Sequence, residues 1–287
     1  RRFLIKISFK NKDFGKKSLF FFAFREKWLI FVFVITKNRT MNKLTAFLID
    51  EQQAHRKGGL YHKTQVQLAY NSNRIEGSKL TEEQTRYIFE TRTIGFKDQE
   101  AVPVDDIIET TNHFVAFDYL LRTIEKPLSN EMIKEFHRIL KTGTADAQKS
   151  YFNVGDWKKL ANEVGGRETC RPADVAREMQ ALSLWYVAQN DFSIQTLAEY
   201  HWRFERIHPF QDGNGRVGRL ILFRECLRHN IMPFVIDNEH KMFYYRGLSE
   251  YSDTPGFLVG TMQSAQDTYV AWVKYFNEEL MEGMKVE

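Results

Sequence analysis

The thirteen residues from Ile207 to Arg219 read Ile-His-Pro-Phe-Gln-Asp-Gly-Asn-Gly-Arg-Val-Gly-Arg. An imidazole, a carboxylate, glycines flanking an asparagine, and two arginines one helical turn apart are the groups needed to hold a polyphosphate and activate a hydroxyl. His208 is the side chain suited to take a proton near neutral pH. Asp212 offers Mg2+ a hard oxygen ligand, with phosphate oxygens and waters to complete an octahedron. Arg216 and Arg219, at i and i+3, share a helix face and present planar forks to phosphate. This is chemistry for transfer from a nucleotide to a hydroxyl.

The surrounding pattern predicts how these groups are positioned. Ile194, Leu197, His201, Phe204 and His208 step by three and four, one stripe of an amphipathic helix capped by Ser193. Pro209 stops that helix at His208. A second helix starts at Asn214 or Gly215 and runs through Leu220, Ile221 and Leu227. Its N-terminus is an anion site, and Gly213 and Gly215 let the backbone approach the anion closely. Gly213-x-Gly215-x-x-Gly218 also fits a dinucleotide-binding fingerprint, but that motif must follow a strand, and here it follows a helix. His201 reads as a core histidine of the stripe.

From His208 through Pro209, Phe210, Asp212, Gly213, Asn214, Gly215 and Arg216 to Arg219, every fixed position resembles the signature of the Fic family of AMP-transferases. The resemblance implies an all-α Fic fold, a helical bundle with a small β-hairpin flap. It implies His208 as base, Asp212 as Mg2+ ligand, Gly213, Asn214 and Gly215 as phosphate loop, and Arg216 and Arg219 as phosphate clamps. ATP is then the substrate, with an unknown target protein, the chain itself included, as acceptor. Family relatives often self-associate, so a homo-oligomer is a further expectation. Removal of AMP, other Fic phosphotransfers, and a non-catalytic ATP-sensing role are the alternatives.

Further upstream, Ser72-x-x-x-Glu76-Gly77 resembles the inhibitory motif of Fic proteins with an N-terminal inhibitory helix. By that resemblance Glu76 pairs with Arg219 and keeps ATP out of line for attack. Residues 42–76 read as helical, with Gly77 as helix stop and Thr81-x-x-Gln84 as a capping box opening the next helix. Residues 105–125 and 130–141 read as scaffold helices carrying the histidines His113 and His137. Gly143 to Gly166 breaks the helical pattern and resembles the family's flap, which holds a target segment by main-chain pairing. Asn162, Glu163 and Val164 are the expected target contacts. Trp157-Lys158 departs from the Tyr-Arg common there. Another helix runs from Pro172 to about Gln189. Lys241 to Glu250 reads as helix, with Tyr244 and Tyr245 on the adenosine side by resemblance. A last helix opens at Thr254-Pro255, its stripe Leu258, Met262, Ala265, Tyr269, Trp272 and Phe276 serving packing.

Composition sets the broader frame. The chain has 287 residues, 43% hydrophobic and 14% aromatic, enough for one substantial core. The expected division is a Fic core at 104–252, an N-terminal helical region at 41–103 holding the inhibitory motif, and a C-terminal helix at 253–287 packed on the core. Cys170 and Cys226 make no disulfide framework or zinc spacing and read as reduced thiols of a cytoplasmic protein. Eleven Lys/Arg against two acidic residues give residues 1–40 a charge of +9, and the whole-chain +4 leaves −5 for residues 41–287. Residues 1–40 start without Met, show no clear helical or strand period, and read as a non-native, upstream-translated or disordered segment before Met41. Their apolar runs are broken by Arg25-Glu26-Lys27, too short to span about 20 residues of bilayer, so no membrane association is expected. No nucleic-acid partner is expected either, since the rest is acidic and no reader motif is present.

Overall fold

The computed structural model describes residues 4–11, 14–24, 27–31, 41–95 and 101–287. It divides into two units, Arg1–Met41 and Asn42–Glu287. The first holds β1 (Leu4–Asn11), β2 (Phe14–Phe24) and β3 (Lys27–Phe31), an antiparallel meander with Leu4 opposite Phe22 and Phe22 opposite Leu29. A strand period is present after all in β1, where Ile5, Ile7 and Phe9 alternate with Lys6, Ser8 and Lys10. The rest of the expectation for residues 1–40 lies partly outside the described residues.

The second unit is helical. In chain order it comprises α1 (Lys43–Gln53), α2 (Leu60–Ile75), α3 (Glu82–Thr91), α4 (Val104–Arg122), α5 (Asn130–Lys141), the hairpin strands β4 (Glu163–Val164) and β5 (Arg167–Glu168), α6 (Val175–Val187), α7 (Ile194–Ile207), α8 (Asn214–Arg228), α9 (Lys241–Ser249) and α10 (Gly256–Asn277). The stretch 42–76, read as one helical region, is two helices. Left-handed backbone at His55 and Gly58 breaks it, and the carboxylate of buried Glu51 folds back to accept from the Tyr61 N–H at 2.8 Å. Thr81 and Gln84 form the expected capping box of α3.

The middle of this unit is α8. Of its 15 residues 13 are buried, so it has no solvent face, and it packs against α2, α4, α5 and α7. Charges inside such a helix need partners. Arg224, fully buried, pairs with buried Glu225 and donates to the carbonyls of Thr123 and Lys126 at the end of α4. These bonds offset the desolvation of both ions and fix α8 along its axis. The α10 stripe packs as its spacing predicts: Leu258, Met262 and Tyr269 are fully buried, and Ala265, Trp272 and Phe276 lie at the edge of the core.

Burial acts strongly on four histidines of this unit. Burial, reinforced by nearby arginines, lowers His113 to a pKa of about 3, and burial lowers His201 likewise to about 3. Burial and Lys141 take His137 to about 3, and burial and Lys158 take His208 to about 4. Each is neutral when folded and, once unfolded, takes up a proton below its ordinary 6.5. The unfolded chain therefore binds more protons below that pH, and stability is present above 6.5 and lost as pH falls toward 3 to 4. Each histidine contributes a slope of up to about 1.4 kcal/mol per pH unit in that window. Denaturant titrations at pH 7, 6, 5 and 4 are expected to show a steepening loss, less steep in His113→Phe. A flat profile from pH 7 to 4 would mean these imidazoles are not buried neutral.

Candidate active site

Backbone geometry builds the site first. α7 ends at His208, whose own φ of 50° is left-handed and whose N–H still bonds to the Phe204 carbonyl at 2.9 Å. A non-glycine residue there is strained, and the side chain of Asn214 holds the turn in place. Asn214 Oδ1 accepts from the Phe210 N–H at 2.8 Å and its Nδ2 donates to the Phe210 carbonyl at 2.9 Å, which ties the loop into a closed turn. Phe210, fully buried, stacks on His137 with ring centroids 4.0 Å apart and packs against Trp157. The Asn214 side chain is thus spent on the loop, so an anion meets only its backbone. Gly213, at φ 80°, is the N-cap of α8 and supplies no side-chain cap. The N–H groups of the first turn of α8 consequently face the loop concavity with the positive end of the helix.

Around this terminus the charges form two clusters. In one, Asp212 accepts from Lys141 Nζ at 2.6 Å and from Arg216 Nη2 at 3.0 Å, while Glu109 of α4 bridges the same Lys141 at 2.5 Å and the same Arg216. Burial alone would raise the Asp212 carboxyl, but Arg216 and Lys141 hold it well below the usual carboxylate range. In the other, Arg219 donates from Nε to Ser72 Oγ at 3.0 Å, and from Nη2 to the Ser72 carbonyl at 2.9 Å and to Glu76 Oε1 at 2.6 Å. Burial opposes ionisation of Glu76 too, yet Arg219 and Arg216 together keep it ionised. Arg216 Nε and Arg219 Nη1 remain buried without a partner, spare donors suited to an anion.

Glu76 reaches Arg219 because of how α2 ends. Gly77 takes φ 101°, its N–H bonds to the Arg74 carbonyl and the Ser78 N–H to the Asn73 carbonyl, both at 3.1 Å. This is a Schellman closure that only glycine adopts without strain. It leaves Glu76 as the last residue before the turn, over the start of α8. A Cβ on Gly215 would collide with Glu76 Oε1, so the glycine makes room for the carboxylate.

The base side is nearly closed. His208 is 15% exposed and neutral, its pKa lowered to about 4 by burial and by Lys158. Lys158 is itself buried, its N–H donating to the Pro209 carbonyl at 2.9 Å and its Nζ to Asn162 Oδ1 at 2.7 Å and Thr169 Oγ1 at 2.5 Å. Burial lowers its ammonium to a pKa of about 8. Through it the motif loop and the β4–β5 hairpin are joined. The hairpin pairs Glu163 with Glu168 and Val164 with Arg167 across Gly165-Gly166, both at positive φ as a two-residue turn requires.

Three expected contacts change role. The Asn162 carbonyl accepts from Thr169 and its Nδ2 donates to the Phe210 carbonyl, so it anchors the hairpin, leaving Glu163 and Val164 as the exposed residues. Tyr244 is 1% exposed, hydrogen-bonded to His201 at 2.7 Å and packed beneath Arg219, which makes it a core residue without a free face for adenosine. Tyr245 is exposed and donates to the Ile75 carbonyl at 3.1 Å, so it braces the end of α2. No local signal marks Glu109, Lys141 or Glu205 as site residues, since each meets its partner only through long-range packing or lies in an otherwise ordinary helix.

Residues 127–225 match the Fic/DOC family, covering α5 through most of α8 and the whole loop. That third of the chain carries a Fic/DOC family segment. Its Fic segment is 28% identical over 191 residues to the protein adenylyltransferase Fic of Culex quinquefasciatus, covering 63% of this chain and 35% of that one. It is 30% identical over 189 residues to that of Drosophila ananassae, covering 62% and 35%. The chain thus spans about a third of the length of these relatives. The Fic fold itself recurs in a Fic domain containing signaling protein from Bacteroides thetaiotaomicron, with TM-score 0.60 and 22% identity over 85% of this chain and 99% of that one. It recurs also in Fic-1 (residues 134–508) of C. elegans, with TM-score 0.61 and 22% identity over 81% and 71%. The fold is mostly helical with a small two-stranded antiparallel sheet, and among the described residues no helix is long and apolar enough to cross a membrane.

Proposed function

We propose that this protein is a Mg2+-dependent protein adenylyltransferase, moving AMP from ATP to a Ser, Thr or Tyr hydroxyl of a target protein, and that Glu76 restrains it. The observation that carries the reading is the pairing of Glu76 with Arg219 beside a buried neutral His208 at an uncapped helix N-terminus. The groove would take triphosphate along the first turn of α8, with Arg216 and Arg219 as donors. One ionised carboxylate with 45% of its side chain exposed fits Mg2+, which prefers few carboxylates plus phosphate and water. Bound there by Asp212, Mg2+ would neutralise charge on the departing pyrophosphate.

In this mechanism His208 takes the proton of the target hydroxyl as its oxygen attacks the α-phosphorus, and pyrophosphate leaves. The N–H groups of the α8 terminus stabilise the developing charge. Glu163 and Val164 would present main chain to the target segment. The two charge clusters divide the work: Lys141 and Glu109 hold Asp212 and Arg216 in place, while Arg219 is the donor that Glu76 withholds.

The decisive measurement gives the full chain ATP labelled in turn at the α- and γ-phosphate, with Mg2+, and follows label on protein. Label from α alone is expected, on the chain itself or on a protein of the source lysate. Label from γ would replace this reading with phosphoryl transfer. Label from neither, together with release of AMP from pre-modified protein, would replace it with AMP removal.

A further inference from the structure

We propose that Glu205 is a positioning residue for His208: its carboxyl accepts the Nδ1 proton of the imidazole and so keeps Nε2 directed at the target hydroxyl. The proposal rests on the transfer reading above for what Nε2 does, but not for where the proton sits.

Glu205 stands one turn before His208 on α7, with Oε2 3.8 Å from Nδ1. No other carboxylate oxygen among the described residues lies within salt-bridge distance of this nitrogen. His208 Nδ1 is buried with no hydrogen-bond partner, and the two side chains are only 15% and 13% exposed. A buried imidazole nitrogen without a partner is costly unless it meets one at some stage of the cycle. The fold also reserves space for this carboxyl. A Cβ on Gly218 would stand 2.6 Å from Glu205 Oε1, so α8 carries no side chain where Glu205 lies. Closing the remaining gap by about 1 Å needs only a small side-chain rotation to reach ordinary hydrogen-bond length.

A carboxyl behind the distal nitrogen fixes the tautomer and orientation of an imidazole base. The substrate proton then passes to Nε2, while the Nδ1 proton stays on nitrogen, hydrogen-bonded to Glu205. The surroundings of both groups are mixed. His208 also faces Lys158 from the segment before the hairpin, Glu76 from α2, the Glu205 main-chain carbonyl of its own helix and Asp212 from the loop. Glu205 faces Arg219 of α8, Glu76 of α2, His201 of its own helix, and Tyr244 and Tyr245 of α9. Burial, with Glu76 adding and Arg219 subtracting, raises the Glu205 carboxyl to a pKa of about 8. Below that pH its carbonyl oxygen accepts the Nδ1–H weakly. Above it the carboxylate accepts strongly and makes His208 a stronger base.

The test combines 15N NMR of histidine-labelled full chain, which reads the tautomer without turnover, with the pH profile of transfer, for wild type, Glu205→Gln and Glu205→Ala. His208 is expected as the Nδ1–H tautomer in wild type and Gln, and as Nε2–H in Ala. Transfer by wild type should rise a second time near pH 8, a limb absent from Gln. The Ala variant should lose at least about tenfold in kcat with the KM for ATP within about twofold. A wild-type tautomer in Ala, or the pH 8 limb persisting in Gln, would overturn the proposal. If Ala fails to fold, the Gln profile and the wild-type spectrum still decide. If no variant transfers AMP but the tautomer follows Glu205, the transfer reading fails and this one stands.

Discussion

His208→Asn is expected to lower AMP transfer by about 100- to 10,000-fold, the range a lost general base covers, while leaving ATP affinity nearly unchanged. Asparagine is the better replacement than alanine for a structural reason. The residue sits at φ 50°, which asparagine tolerates and a Cβ without a polar group adopts at a cost of about 1–2 kcal/mol. An unchanged thermal midpoint would then assign the loss to chemistry. His208 lies in the wall of the site, not among the phosphate donors, so nucleotide binding measured by calorimetry should persist. The pH profile adds a second check. With its pKa lowered to about 4, His208 is a neutral base throughout the physiological range, so wild-type activity should hold well below pH 6 before its acid limb begins. Transfer by the variant at the wild-type rate would remove His208 from the mechanism.

What could be read in advance was whatever is local in sequence. The stripe Leu197, His201 and Phe204, the stop at Pro209 and the restart at Asn214 depend on helix period and capping, and the structure has all of them. Ser72 and Glu76 were legible for the same reason, being four apart on one helix face before a glycine. The partners of buried charges were not. Glu109 reaches Lys141 and Arg216 across 32 and 107 residues of chain, and nothing at either end announces the meeting. Tyr244 and Tyr245 show the other limit. Adjacent on one helix, they diverge because one faces His201 in the core and the other the end of α2, a choice made by packing on α9. The split of residues 42–76 into two helices belongs with the latter, since it rests on the return of Glu51 to cap α2.

Glu76→Gly is expected to raise AMP transfer by about tenfold to 100-fold, and to do so through Arg219. Arg219 gives Nη2 to Glu76 and is held at Nε by Ser72, leaving only buried Nη1 without a partner. A charge-assisted bond of this kind contributes about 1.5–3 kcal/mol, which matches that range of rate if phosphate must displace it. Misplacement of the reacting phosphate by roughly 1 Å has a similar cost. Removal of the carboxylate also leaves a buried guanidinium short of its counter-ion. The variant should therefore unfold at lower temperature than wild type without nucleotide, and recover more of that loss when ATP and Mg2+ are added, since ligand stabilises only the folded state. Glu76→Gln keeps the shape and loses the charge, and should fall between the two in both rate and ATP rescue. The order Gly above Gln above wild type separates withheld charge from simple obstruction, because a steric block would leave Gln at the wild-type rate. Equal rates in all three proteins, with equal rescue by ATP, would show that the Glu76–Arg219 pair fixes the end of α2 and restrains nothing.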